Sequence, residues 1–161
     1  MLPRLLCLFA ITLSLLLAQV RKPDFSGTWK PDPSKSTFKL TPVKNPDPSA
    51  SDVPPPPPSD EQPPEVIDQK DNALKIGELA FTLDGRENTN QLGEGFVQKS
   101  KTHWEGAKLI TEWVLERDGQ KLVTARQVRS LAQDGKTQIV DTHVQTPSTI
   151  RDSHDVMIKQ P

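Results

Sequence analysis

The chain has one cysteine, no tyrosine, two methionines and only three tryptophans and five phenylalanines in 161 residues, and its formal net charge is -1. Each shortage excludes something. The single thiol, Cys7, sits in an apolar N-terminal run, so the remainder has no disulfide, no thiolate metal site and no cysteine nucleophile. Near-neutral charge provides no basic field for nucleic acid or for an anionic membrane. No Gly-x-Ser-x-Gly context surrounds Ser26, Ser100 or Ser130, and no phosphate-cradling glycine loop is present. Beyond the N-terminal run, no stretch keeps a helical period.

What is present divides the chain into four parts. Residues 1–18 carry Arg4 and then an apolar run from Leu5 to Ala18, too short to span a bilayer comfortably, which is the pattern of an export signal cleaved after Ala18. Cys7, with Arg4 before it and apolar residues still to come, is wrongly placed for a lipid-modified cysteine. The expected destination is the periplasm or the extracellular space, with no stable transmembrane anchor once the signal is removed. Residues 19–30 hold a first strand, Phe25 to Lys30. Residues 31–64 contain twelve of the sixteen prolines, including "VPPPPPSD", and read as a linker or long excursion, because proline donates no ladder hydrogen bond and the remaining residues offer little to bury. Residues 65–161 form the folded body.

That body is written in strands and tight turns: "EVIDQK", "ALKI", "ELAFTL", "GFVQKSKTHW", "AKLITEWVLER", "QKLVTARQVRSL", "KTQIVDTHV" and "TIRDSHDVMIK". The dipeptides Glu105-Gly106, Asp118-Gly119 and Asp134-Gly135 separate the later runs, and Asp-Gly between alternating runs is a strong hairpin signal. The last five strands are therefore expected to form an antiparallel meander. Two-residue turns at those dipeptides, with another at Pro147-Ser148, set Thr111 opposite Arg126, Arg126 opposite His143, and His143 opposite Asp152. One row along, Leu109, Val128, Asp141 and His154 line up, and Trp113 falls on the same face beside Thr124. The other face collects Lys99, Lys101, Glu112, Glu116, Lys121, Arg129, Arg151 and Asp155, as a solvated face does.

The first face is therefore expected to point inward, with apolar ends and a polar middle. Arg126, His143, Asp152, Asp141, His154 and Trp113 are the candidate ligand-binding residues. Two readings of the charged group stand side by side: a mutually satisfied lattice of buried polar groups, or a belt lining a ligand cavity. Two histidines with two carboxylates also match metal-ligand types. His103 is expected outward, as a surface histidine.

The segment Phe25-Ser26-Gly27-Thr28-Trp29 resembles the Gly-x-Trp start of the first strand in lipocalin-like (calycin) barrels, and "FTLDGRENTN", "KSKTHWEG" and "RDGQKL" resemble a pattern in small exported bacterial proteins described as lipocalin-like. The resemblance spans Phe25 to about Leu122. It implies an antiparallel calyx whose closed end Trp29 plugs. The Thr-Asp-Tyr-like second signature of lipocalins has no counterpart here, since the chain has no tyrosine. The expected fold is thus all-β, a meander closing into a lipocalin-like barrel of about eight strands, with the proline-rich excursion after the first. The expected function is non-catalytic binding of a small, partly apolar ligand inside the barrel, without a cofactor. The alternatives are a filled structural or interaction module of the cell envelope, and a hydrolase or metal-binding protein using the Asp-x-His pairs.

Overall fold

A computed structural model describes residues 22–44 and 63–161. The expected signal segment and the "VPPPPPSD" run lie outside the described residues. Eleven strands make one antiparallel sheet, with no helix among the described residues. They are β1 (Gly27–Pro31), β2 (Thr37–Pro42), β3 (Glu65–Lys70), β4 (Ala73–Ile76), β5 (Leu79–Thr82) and β6 (Glu87–Gly93). The long strands follow: β7 (Phe96–Glu105), β8 (Lys108–Arg117), β9 (Gln120–Leu131), β10 (Thr137–Gln145) and β11 (Thr149–Lys159). Their order is β5-β4-β3-β1-β11-β10-β9-β8-β7-β6, with β2 also paired to β11.

The expectation of about eight strands is corrected to eleven, because two strands carry no hydrophobic signal strong enough to read. β6 is almost wholly polar, and β2 lies inside the proline-rich stretch, where Thr37–Pro42 does form ladder pairs with β11. Proline is tolerated there because β2 is an edge strand. Between β1 and β2 the chain turns at Asp32–Ser36 without leaving β11. Asp32 N–H donates to Val156 O at 2.7 Å, and Val156 N–H donates to the Ser36 hydroxyl at 3.0 Å.

The two end strands, β5 and β6, close the barrel nearly but not by a backbone ladder. Instead Asn90 acts as a surrogate peptide: Ala80 N–H donates to Asn90 Oδ1 at 2.9 Å, and Asn90 Nδ2 donates back to Ala80 O at 3.0 Å. Asn88 Nδ2 donates to the same carbonyl. An exposed sheet edge is thereby sealed by side chains.

The core gathers at the end of the barrel where β1 and β3–β5 meet. Phe25, Trp29, Ile67, Leu74, Leu109 and Met157 pack there. Trp29 is fully buried and its Nε1–H donates to Phe25 O at 2.8 Å, so the indole spends its one polar group inside the core. The Phe25 and Trp104 rings stack with centroids 6.0 Å apart. Gly27, two residues before Trp29, has φ of 137°, and a Cβ there would meet Lys159 Cε at 2.6 Å. That conformation, which residues other than glycine rarely adopt, explains a glycine at the first position of Gly-x-Trp.

All four expected hairpins form, one of them displaced. Asp118 (φ 51°) and Gly119 (φ 80°) both adopt positive φ, as a type I′ turn requires. The β7–β8 turn sits one residue later than Glu105-Gly106, so Glu105 pairs with Lys108, which shifts the pairing along the strands without exchanging faces. In the β9–β10 loop Asp134 accepts from Lys136 N–H at 2.8 Å, Thr137 N–H at 3.0 Å and the Thr137 hydroxyl at 3.0 Å. Those bonds, the Lys136 amide foremost, hold the Asp134 carboxyl below its ordinary value of 3.8. A depressed carboxyl stabilises the fold above its unfolded pKa and loses that contribution as pH falls through the folded one. Asp134→Ala should therefore lower the melting temperature at neutral pH, and the gap to the unsubstituted protein should close as pH falls below 3.8. A gap that stays constant across a melting series at descending pH would show that the loop does not depend on the charge.

Candidate functional site

One irregularity decides which side chains face the barrel interior. Between β8 and β9 the register shifts after the turn: Glu116 pairs with Lys121, but Leu115 pairs with Val123, leaving Leu122 as an extra residue. Such a bulge transfers every later residue of the strand to the other face. It lets the consecutive Leu122 and Val123 both be buried.

The registers beyond the bulge match those expected from the turns. Arg126 stands opposite His143, His143 opposite Asp152, and Asp141 opposite His154. His143 Nδ1 lies 2.6 Å from Asp152 Oδ1, and His154 Nδ1 lies 2.6 Å from Asp141 Oδ1. The inward orientation is corrected. Because β9 has flipped, β10 and β11 flip with it, and the cluster moves intact to the outside. The side chains of Arg126, His143 and Asp152 are 47%, 52% and 56% exposed, and Asp141 and His154 are similarly open. Among the described residues no three His, Asp or Glu side chains converge on a point able to hold a metal ion. Trp113 keeps the inner face, opposite Ser100 and Ala125, away from the cavity described below. His103 is outward as expected, 3.1 Å from Glu105.

On the outer face the exposed cluster is part of a longer ladder. Glu87 stands opposite Lys101, Lys101 opposite Glu112, Glu112 opposite Arg126, and the row continues through His143 and Asp152 to Lys39 on β2. Opposite charges face each other between Glu87 and Lys101, Lys101 and Glu112, Glu112 and Arg126, and Asp152 and Lys39, which gives favourable cross-strand pairs. Lys99, diagonal to the row, has its ammonium 2.7 Å from Glu116, which holds the lysine above its ordinary pKa. A depression of about 640 Å³ is an open trough between these charged side chains. A surface of water-facing charges, each already solvated, has little to offer a ligand.

The interior differs. A cavity of about 530 Å³, open to solvent beside Pro63, Pro64 and Val66, is lined by the inner faces of β9, β10 and β11 and by the ends of β1, β3 and β4. Pro31, Ile76, Val140, Val144 and Met157 form its apolar wall. Its polar wall is a chain of hydrogen bonds crossing the barrel. Glu65 on β3 grips Arg129 on β9 through two bonds of 2.7 and 2.9 Å. Arg129 Nε donates to Gln127 Oε1 at 3.1 Å, and Gln127 Nε2 donates to the Thr142 hydroxyl at 3.2 Å. Ser153 donates to Asp155 at 2.9 Å beside them, and Arg151 completes the lining.

Arg129, Arg151 and Asp155 are thus inside, whereas uninterrupted registers set them outside. The pattern of β10 held one clue. Val140, Thr142 and Val144 are the more apolar alternate set of that strand, and Asp141 and His143 the more polar one. The chain matches no known protein-family model and no curated protein, so the chemistry of the site rests on its own side chains.

Proposed function

We propose that the protein binds a small, partly apolar molecule inside the barrel and carries out no reaction on it. The observation supporting this reading is the interior cavity, whose volume falls in the range of small-molecule sites and which sets an apolar wall against a few placed polar groups. On this reading the fold is a lipocalin-like calyx, supported by the nearly closed antiparallel barrel and by Trp29 buried at its end after Gly27. The working compartment is proposed to be the periplasm or the extracellular space, on the strength of the apolar run from Leu5 to Ala18. Water is the proposed medium outside the barrel, since the charge ladder occupies the girdle where a membrane-spanning barrel needs an apolar band.

The test uses N-phenyl-1-naphthylamine, whose fluorescence rises in apolar surroundings. One saturable site per chain is expected. Val144→Trp, which fills the cavity from β10, should abolish binding with little change in melting temperature. Undiminished binding in that variant, or none in the unsubstituted protein, would refute the proposal. The second outcome would favour a filled structural module, a reading that gains from the mutual satisfaction of Glu65, Arg129, Gln127 and Thr142.

A further inference from the structure

Glu65, Asp155, Arg129 and Arg151 are the charged groups lining the interior cavity, and their formal charges cancel. How they are engaged matters more than the sum. Both terminal nitrogens of Arg129 are held by Glu65, and its Nε is held by Gln127. Asp155 accepts the Ser153 hydroxyl, and Arg151 is partnered as well. The Glu65–Arg129 pair is therefore fully engaged within the wall, whereas Asp155 holds only a neutral hydroxyl and the buried Nε of Arg151 makes no hydrogen bond among the described residues.

The neutral groups are not exhausted in the same way. Gln127 uses one amide hydrogen on Thr142, whose oxygen accepts it. Among the hydrogen bonds of the described residues, the second Gln127 N–H and the Thr142 O–H remain as donors on the polar wall. Val140 and Val144 flank Thr142 at alternate positions on β10, so these neutral donors adjoin the apolar wall. An acceptor oxygen on an apolar chain fits that juxtaposition.

We infer that the ligand is an uncharged amphiphile: an apolar chain carrying a hydroxyl, ester or amide group, whose oxygen accepts from Thr142 and Gln127. This rests on the cavity being the binding site proposed above. A carboxylate would surrender far more hydration on entering, and it could gain the Arg129 charge only by displacing Glu65, leaving one carboxylate without its counter-charge. An ammonium would surrender its hydration likewise, and it could take Glu65 only by stranding the Arg129 guanidinium. The oxygen of a hydroxyl, ester or amide is met by the neutral donors without disturbing any charged group.

The experiment is displacement of N-phenyl-1-naphthylamine by four ten-carbon compounds: 1-decanol, decanamide, decanoate and decylamine. At about pH 7, where the acid and the amine are both charged, the two neutral compounds should displace the probe at concentrations at least about tenfold lower than the charged ones, a difference of about 1.4 kcal/mol. Thr142→Val should weaken decanol and decanamide by about tenfold while leaving decanoate unchanged. Glu65→Gln, by uncovering the Arg129 charge, should move preference toward decanoate. Equal or better displacement by decanoate in the unsubstituted protein overturns the inference, as does probe binding that none of the four compounds disturbs. In both cases the probe still binds, which separates this failure from failure of the binding proposal itself. The series on the unsubstituted protein decides the matter even if Glu65→Gln does not fold.

Discussion

Trp29→Ala is expected to cost about 3 to 5 kcal/mol of stability, the range for deleting a large aromatic side chain from a core that cannot collapse around the void. Trp29 is fully buried at the end of the barrel, between β11 on one side and β3 on the other. The neighbouring backbone is fixed by two ladders, so the cavity left by the indole cannot be closed by a local shift. The loss includes a hydrogen bond, since the Phe25 carbonyl would lose the Nε1–H donor 2.8 Å away, and it includes the Lys159 ammonium lying 5.4 Å from the ring. Domains of this size are stable by only about 5 to 15 kcal/mol, so the substitution should bring the protein close to unfolding at room temperature. Urea denaturation followed by circular dichroism measures the effect. Trp29→Phe separates the contributions: it keeps most of the volume, strands the carbonyl, and should cost about 1 to 3 kcal/mol. A loss below about 1 kcal/mol for the alanine variant would mean that the indole does not plug the barrel.

The elements legible in the sequence were those with a local physical cause. Asp118-Gly119 needs positive φ at both positions and forms the turn it signals, and the pairing of Arg126 with His143 and of His143 with Asp152 follows from turn geometry alone. The face those residues occupy did not follow. It depends on one extra residue, Leu122, whose effect is carried through three strands, because alternation has a period of two and a single insertion inverts it. Two adjacent apolar residues, Leu122 and Val123, two residues past a tight turn are the mark that such a bulge leaves in a sequence. β10 read on its own, with Val140, Thr142 and Val144 inward, gives the correct side. β6 left no such trace, since its inward Asn88 and Asn90 act by hydrogen bonding to Ala80 rather than by burial. The partnership of Glu65 with Arg129 was equally invisible, because the residues stand sixty-four positions apart and meet only when the barrel curves.

That partnership gives the second large effect, and it is expected to be asymmetric. Glu65→Met and Arg129→Met remove the same bidentate ion pair, yet the first should cost about 3 to 5 kcal/mol and the second distinctly less. The difference lies in what is left behind. The side chain of Arg129 is only 5% exposed, so without Glu65 a guanidinium remains in the wall with Gln127 as its one acceptor among the described residues. The side chain of Glu65 is 25% exposed, so water can solvate the carboxylate that remains when Arg129 is removed. Replacing both by methionine strands no charge and lines the wall with apolar surface, and such replacements of buried pairs are often neutral. The double variant should therefore be more stable than Glu65→Met alone, giving a coupling of opposite sign to simple additivity between the two sites. Chemical denaturation of the four proteins in one cycle provides the measurement. Equal costs for the two single variants, or costs that add in the double, would show that the pair is solvated in the folded protein and that the interior wall is wetter than its hydrogen bonds imply.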